Sequence, residues 1–90
     1  MMKYDNGSDW VEIGAGIAKR PMRELLMLDA DIESAHALAV KHTTDAHFTD
    51  DDGNVVDWKS DILGLTVQQW NWWKGRLWAA ARDEKLDPEA

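Results

Sequence analysis

The last third of the chain most constrains the fold. Leu65-Thr66-Val67-Gln68-Gln69 opens a run with tryptophan at positions 70, 72, 73 and 78. Thr66 followed three residues later by Gln69 has the pattern of a capping box. The Thr hydroxyl accepts from the third helical N–H, and the Gln amide reaches back to the cap's own N–H. Pro88 lacks an N–H and clashes with the turn before it, so it forbids continuation. A helix from Val67 to about Lys85 is predicted.

Stepping about 100° per residue groups Trp70, Leu77 and Ala81. Val67 and Trp73 lie to either side, with Trp78 slightly further out, which makes a broad apolar stripe for a core. Trp72 falls nearly opposite, beside Gln68, Gly75 and Ala79. An indole next to two small side chains makes a shallow notch with an aromatic rim. Tryptophan is frequent among the residues that carry interface energy. Glycine inside a helix costs about 1 kcal/mol against alanine and usually answers a packing need. Trp72, Gln68, Gly75 and Ala79 are therefore a candidate partner-binding site. The structural alternative is an incidental exposed Trp, or one packed beneath the N-terminal segment.

Ahead of that helix the signals are shorter. Residues 1–8 read as a frayed leader, or as the entry to a turn through Asn6-Gly7-Ser8. Asp9-Trp10-Val11-Glu12-Ile13 is short and rich in β-formers, a strand that Gly14-Ala15-Gly16 ends. Pro21 suits a first helical position, where a missing N–H is tolerated. The run 21–42 is one bent helix or two, jointed at Asp29-Ala30-Asp31 and ending near His42. Asp29 and Asp31 are candidate caps for its second part. Ala46-His47-Phe48-Thr49 and Asn54-Val55-Val56-Asp57-Trp58 flank Asp50-Asp51-Asp52-Gly53, a hairpin signal. The predicted class is α+β, mostly α. It has two or three helices, a small antiparallel β-hairpin and a long Trp-rich C-terminal helix. Ninety residues make a single domain, 1–90, with 1–8 and 87–90 frayed.

Catalytic and metal chemistry finds no pattern. There is no cysteine, which removes thiol nucleophiles and Cys-based metal sites. His36, His42 and His47 miss the i,i+4 spacing of a shared helical metal site. Setting Gly53 at the sixth position of a calcium loop puts Phe48 first and Lys59 last, where acids are required. Gly14-Ala15-Gly16 is not a phosphate loop, and Ser8, Ser34 and Ser60 lack an elbow motif. No catalytic residue, metal or cofactor is expected. No apolar run reaches the ~18–20 residues needed to cross a bilayer, and the N-terminus has no signal-like apolar region. A soluble cytosolic protein is expected.

Seventeen acids against ten basic residues give a net charge of −7. Broad contact with nucleic acid or with anionic membranes is disfavoured by sign. The acid is concentrated: Asp45, Asp50, Asp51, Asp52, Asp57 and Asp61 share one stretch with the single Lys59. A solvated loop that keeps the protein soluble accounts for this. The sharper alternative is an acidic patch (Asp50, Asp51, Asp52, Asp57, Asp61) that docks on a basic partner or imitates DNA.

The layout has a likeness. A Trp-bearing strand at 9–13, an Arg-Pro-Met-Arg helix start at 20–23, an alanine-rich helix and an Asp-rich turn precede the Trp-rich terminal helix. That helix runs on to Ala80-Ala81-Arg82-Asp83-Glu84-Lys85-Leu86-Asp87-Pro88. The chain resembles small acidic proteins from the tail-gene clusters of long-tailed bacteriophages of actinobacteria, in particular tail assembly chaperone-like proteins. The resemblance implies a non-catalytic assembly or adaptor role. It implies a protein partner, either a virion component such as a tape-measure protein or a second copy in a homo-oligomer. It also implies no cofactor, and residence in the cytoplasm of the bacterial host or on the virion. Competing functions are an acidic phage inhibitor of a host nucleic-acid enzyme, anti-CRISPR-like or DNA-mimicking, and a structural virion subunit.

Overall fold

A computed structural model describes residues 2–83. Strand β1 (Met2–Asn6) and strand β2 (Asp9–Ile13) lead into a 3-10 helix, Ala15–Lys19. Helix α1 (Met22–Leu25) continues as a 3-10 helix, Leu26–Asp29. Helix α2 (Ile32–His42) and strand β3 (Thr43–His47) follow. A 3-10 turn at Ile62–Gly64 precedes helix α3 (Val67–Ala81). The class is α+β, mostly α, as the sequence predicts.

The strands form one antiparallel sheet in the order β1-β2-β3. The expected leader is in fact β1, paired with β2 from Met2↔Ile13 to Asn6↔Asp9. Gly7 makes this possible. It takes φ +67° at the first position of the two-residue loop Gly7-Ser8, where glycine lets a tight turn match the strand twist. β3 grows directly from the end of α2 and pairs with β2 through Trp10↔His47 and Val11↔Ala46. The register slips between Glu12 and Ile13, and the skipped residue, Thr44, donates its hydroxyl to the Glu12 carbonyl at 3.1 Å.

The predicted hairpin is reduced to a turn. Thr49↔Val55 is a single bridge, and the Val56 N–H donates to the Phe48 carbonyl at 2.8 Å. Residues 43–47 have given their ladder to β2. Beyond Val56 the chain curls at 57–61, where the Asp61 N–H donates to the Asp57 carbonyl at 2.8 Å.

The segment 21–42 holds two helices. Pro21 is the N-cap of α1 rather than its first residue. Ala30 is extended between them, and Asp31 caps α2 by accepting the Ser34 N–H at 3.0 Å. α3 begins with the predicted capping box and ends at Ala81, short of Lys85. Asp83 turns the chain away at φ +58°, its N–H donating to the Ala80 carbonyl. Residues 84–85 of the predicted helix and the frayed end at 87–90 lie outside the described residues.

The core lies between the inner sheet face and α3. Tyr4, Val11, Ile13 and Ala46 meet Trp73, Leu77 and Ala80. Ile17, Leu25, Leu28, Leu38 and Ala39 close one side, and Phe48, Val56, Trp58 and Leu65 contribute from the loops. Trp73 is the hub. Its ring centre lies 5.5 Å from those of Phe48 and Trp70 and 5.7 Å from that of Trp58. Its indole N–H donates to the Thr43 hydroxyl at 3.0 Å, so its one polar atom is satisfied in the interior.

Candidate docking surfaces

Helix α3 is turned from the orientation its composition suggests. Trp73, Leu77, Ala79 and Ala80 are the buried positions, which rotates the buried arc by roughly 90° from a stripe centred on Trp70 and Leu77. The reason is tertiary. The 3-10 helix Ala15–Lys19, strand β2 and helix α2 all pack on α3. Covered from several directions, the helix has an inner face wider than one apolar stripe.

The four residues predicted as a partner notch are therefore not one solvent-facing site. Ala79 is only 1% exposed. Trp72 is half-buried and meets Phe48 edge-on, with ring centres 6.3 Å apart. Gly75 is partly covered, and only Gln68 is open to solvent. A Cβ placed on Gly75 would find nothing within 4 Å, so no close approach calls for the glycine. Val67 and Asn71 are open to solvent on the other side of the helix, where Lys74 is half-buried and Trp78 packs partly against the core.

The acids also divide. The Asp50 carboxylate accepts the N–H groups of Asp52 and Asn54 at 2.9 Å each, which shapes the turn. Asp57 accepts from the Ser60 hydroxyl and the Lys59 N–H. The Ser60 bond first, and the backbone donors with it, hold its carboxyl below the usual range. A Cβ on Gly64 would fall 2.5 Å from the Asp61 carboxylate and 3.2 Å from Val56, so residues 61, 64 and 56 are tightly apposed. Asp51 and Asp52 remain exposed at the tip. Among the described residues, no group of three or more His, Asp or Glu side chains gathers as a metal site.

Two apolar surfaces emerge that composition alone did not mark. The first is a set of three exposed aliphatic residues on neighbouring segments, Leu63, Val67 and Val55, which are 85%, 76% and 68% exposed. Their segments adjoin: Val56 touches the Gly64 position, and the Gln69 side chain donates to the Thr49 carbonyl at 2.8 Å, beside the Thr49↔Val55 bridge. Asp51, Asp52, Asp57 and Asp61 lie on the same segments. The stretch has no periodicity to announce it. Val55 alternates with buried Val56, and Leu63 precedes buried Leu65 by two residues in a turn. The second is a groove of about 340 Å³ beside α2, lined by Met27, Ser34, Ala37, Leu38 and Lys41. By contrast, Trp10 on the outer sheet face is already occupied. It stacks on His47 at 6.2 Å, and the Lys3 ammonium sits 4.7 Å from its ring centre.

Comparison with family models, curated proteins and solved structures finds no match. No helix among the described residues is long and apolar enough to cross a membrane.

Proposed function

We propose that the protein is a non-catalytic assembly or adaptor protein that binds another polypeptide through the face around Val55, Leu63 and Val67. One observation carries this reading: three large aliphatic side chains on adjoining segments that also carry aspartates are left in water. Each square ångström of apolar surface covered by a partner is worth roughly 25 cal/mol, and contiguous exposed patches rimmed by charge mark interaction sites. Those aspartates select the partner's chemistry. An apolar segment flanked by Lys or Arg would satisfy both the aliphatic centre and the carboxylates. The likeness to phage tail-cluster proteins supports a virion component as that partner, met during assembly in the host cytoplasm.

Inhibition of a host nucleic-acid enzyme by acidic mimicry is the weaker reading. Asp50 and Asp57 already spend carboxylate oxygens on their own turns, which leaves fewer free charges for a phosphate-like ribbon. Pull-down from infected host cells with the wild-type chain and with a Leu63→Glu/Val67→Glu variant tests the proposal. A virion protein retained by the wild type at raised salt and lost by the folded variant is the expected result. Equal recovery by both chains contradicts it. So does recovery of a nuclease or polymerase whose binding collapses with salt.

A further inference from the structure

The second apolar surface has a different geometry, and it fits a different occupant. On α2, Ala35, Leu38 and Ala39 face the core, while Glu33, Ala37 and Lys41 are all exposed. These three stand at four-residue spacing, one line down the outside of the helix. Ala37 is its midpoint, with an acid one turn towards the N-terminus and a base one turn towards the C-terminus. Both charges are available. Among the described residues Glu33 has no ion-pair partner. Lys41 reaches only Glu24, at 3.7 Å, on the carboxylate oxygen that Arg20 already holds at 2.8 Å. Beside this line runs the groove, and Met27 in its lining is 41% exposed.

We infer that this face binds a second copy of the same chain, α2 against α2 and antiparallel, about a twofold axis at Ala37. The charge pattern is complementary to itself. A twofold that places Ala37 against its own copy sets Glu33 at the level of the other protomer's Lys41, because both stand four residues from the centre. The pair then recurs by symmetry, as an isologous interface requires. A parallel arrangement would set like charges side by side. The small side chains of Ala37 and Ser34 let two helix axes approach within the usual 8–10 Å. Met27, an adaptable side chain in the groove lining, supplies the apolar cover. α2 has eleven residues, so the contact is small for a dimer, and it dissociates on dilution.

This goes beyond the proposed function and uses a separate face. Sedimentation equilibrium over a concentration series tests it. The wild-type chain should rise from 10.2 kDa towards twice that mass. Glu33→Lys alone sets Lys against Lys, and Lys41→Glu alone sets Glu against Glu, so each should stay monomeric. An equimolar mixture of these two variants should regain the doubled mass, because every cross-pair is again opposite in sign. Misfolded variants could not regain it. Leu63→Glu/Val67→Glu should dimerise like the wild type. A wild-type chain that stays at the monomer mass throughout overturns the inference. So does a single-charge variant that dimerises as the wild type does, or a mixture no heavier than its components.

Discussion

Trp73 and Trp72 are neighbours in sequence with different tasks, and single substitutions separate them. Trp73 is fully buried, and four aromatic rings, including His36 at 6.1 Å, surround it. Trp73→Ala is expected to cost ~3–5 kcal/mol, the range for a large aromatic lost from a core, measured by urea unfolding. Trp72 meets Phe48 edge-on, so Trp72→Glu should also destabilise, by roughly 1–3 kcal/mol. An unchanged melting temperature would mean that this indole stands free of the core after all. The glycines divide in the same way. Gly75 has open space where a Cβ would go, so Gly75→Ala should stabilise α3 by up to about 1 kcal/mol. At Gly64 the same change would drive a methyl against Asp61 and Val56 and should lower the melting temperature.

At the scale of elements, local chemistry was legible where it closes on itself. The capping box is present as read: the Gln69 N–H donates to the Thr66 hydroxyl at 3.0 Å, and the Thr66 N–H donates to the Gln69 side-chain oxygen at 2.9 Å. Thr66→Ala should cost about 1 kcal/mol, seen as a shift in the urea midpoint. The second task of Gln69 was not legible. Its amide also donates to buried Asp9 at 3.1 Å and to the Thr49 carbonyl at 2.8 Å, partners 60 and 20 positions away. β1 was legible in principle, since Gly7-Ser8 is a hairpin loop, but its strand is half polar. The orientation of α3 was not legible, because the 3-10 helix and sheet that cover it are distant in sequence. The same holds for the exposed face at residues 55, 63 and 67, which is assembled by turns.

Glu24 joins α1 to the end of α2 and gives the elements a pH dependence. Arg20, which donates to both carboxylate oxygens, is the chief cause that holds Glu24 at about 2, with His42 and Lys41 adding to it. A carboxyl depressed on folding contributes stability above its ordinary value of 4.5, and that contribution is lost as the pH falls towards about 2. Asp31 and Asp57, also depressed, act in the same direction. The melting temperature should therefore fall on acidification below that ordinary value, and Glu24→Gln should flatten the slope without abolishing it.

For the whole molecule, a fold with a radius of gyration of 12.4 Å presents two apolar faces of unlike charge. On the proposed function, the face at residues 55, 63 and 67 takes a foreign basic segment; on the further inference, the face at Ala37 takes its own copy. If both proposals hold, the pair would carry two equivalent partner sites. The partner face is the claim on which the functional account stands. Photo-crosslinking in infected cells tests it most directly, with a photoreactive residue in place of exposed Leu63 and, as a control, in place of exposed Asp5 on the outer sheet face. The account predicts one dominant virion-protein adduct from position 63 and none from position 5. Identical adducts from both positions, or none from position 63 while the protein remains folded, would contradict it.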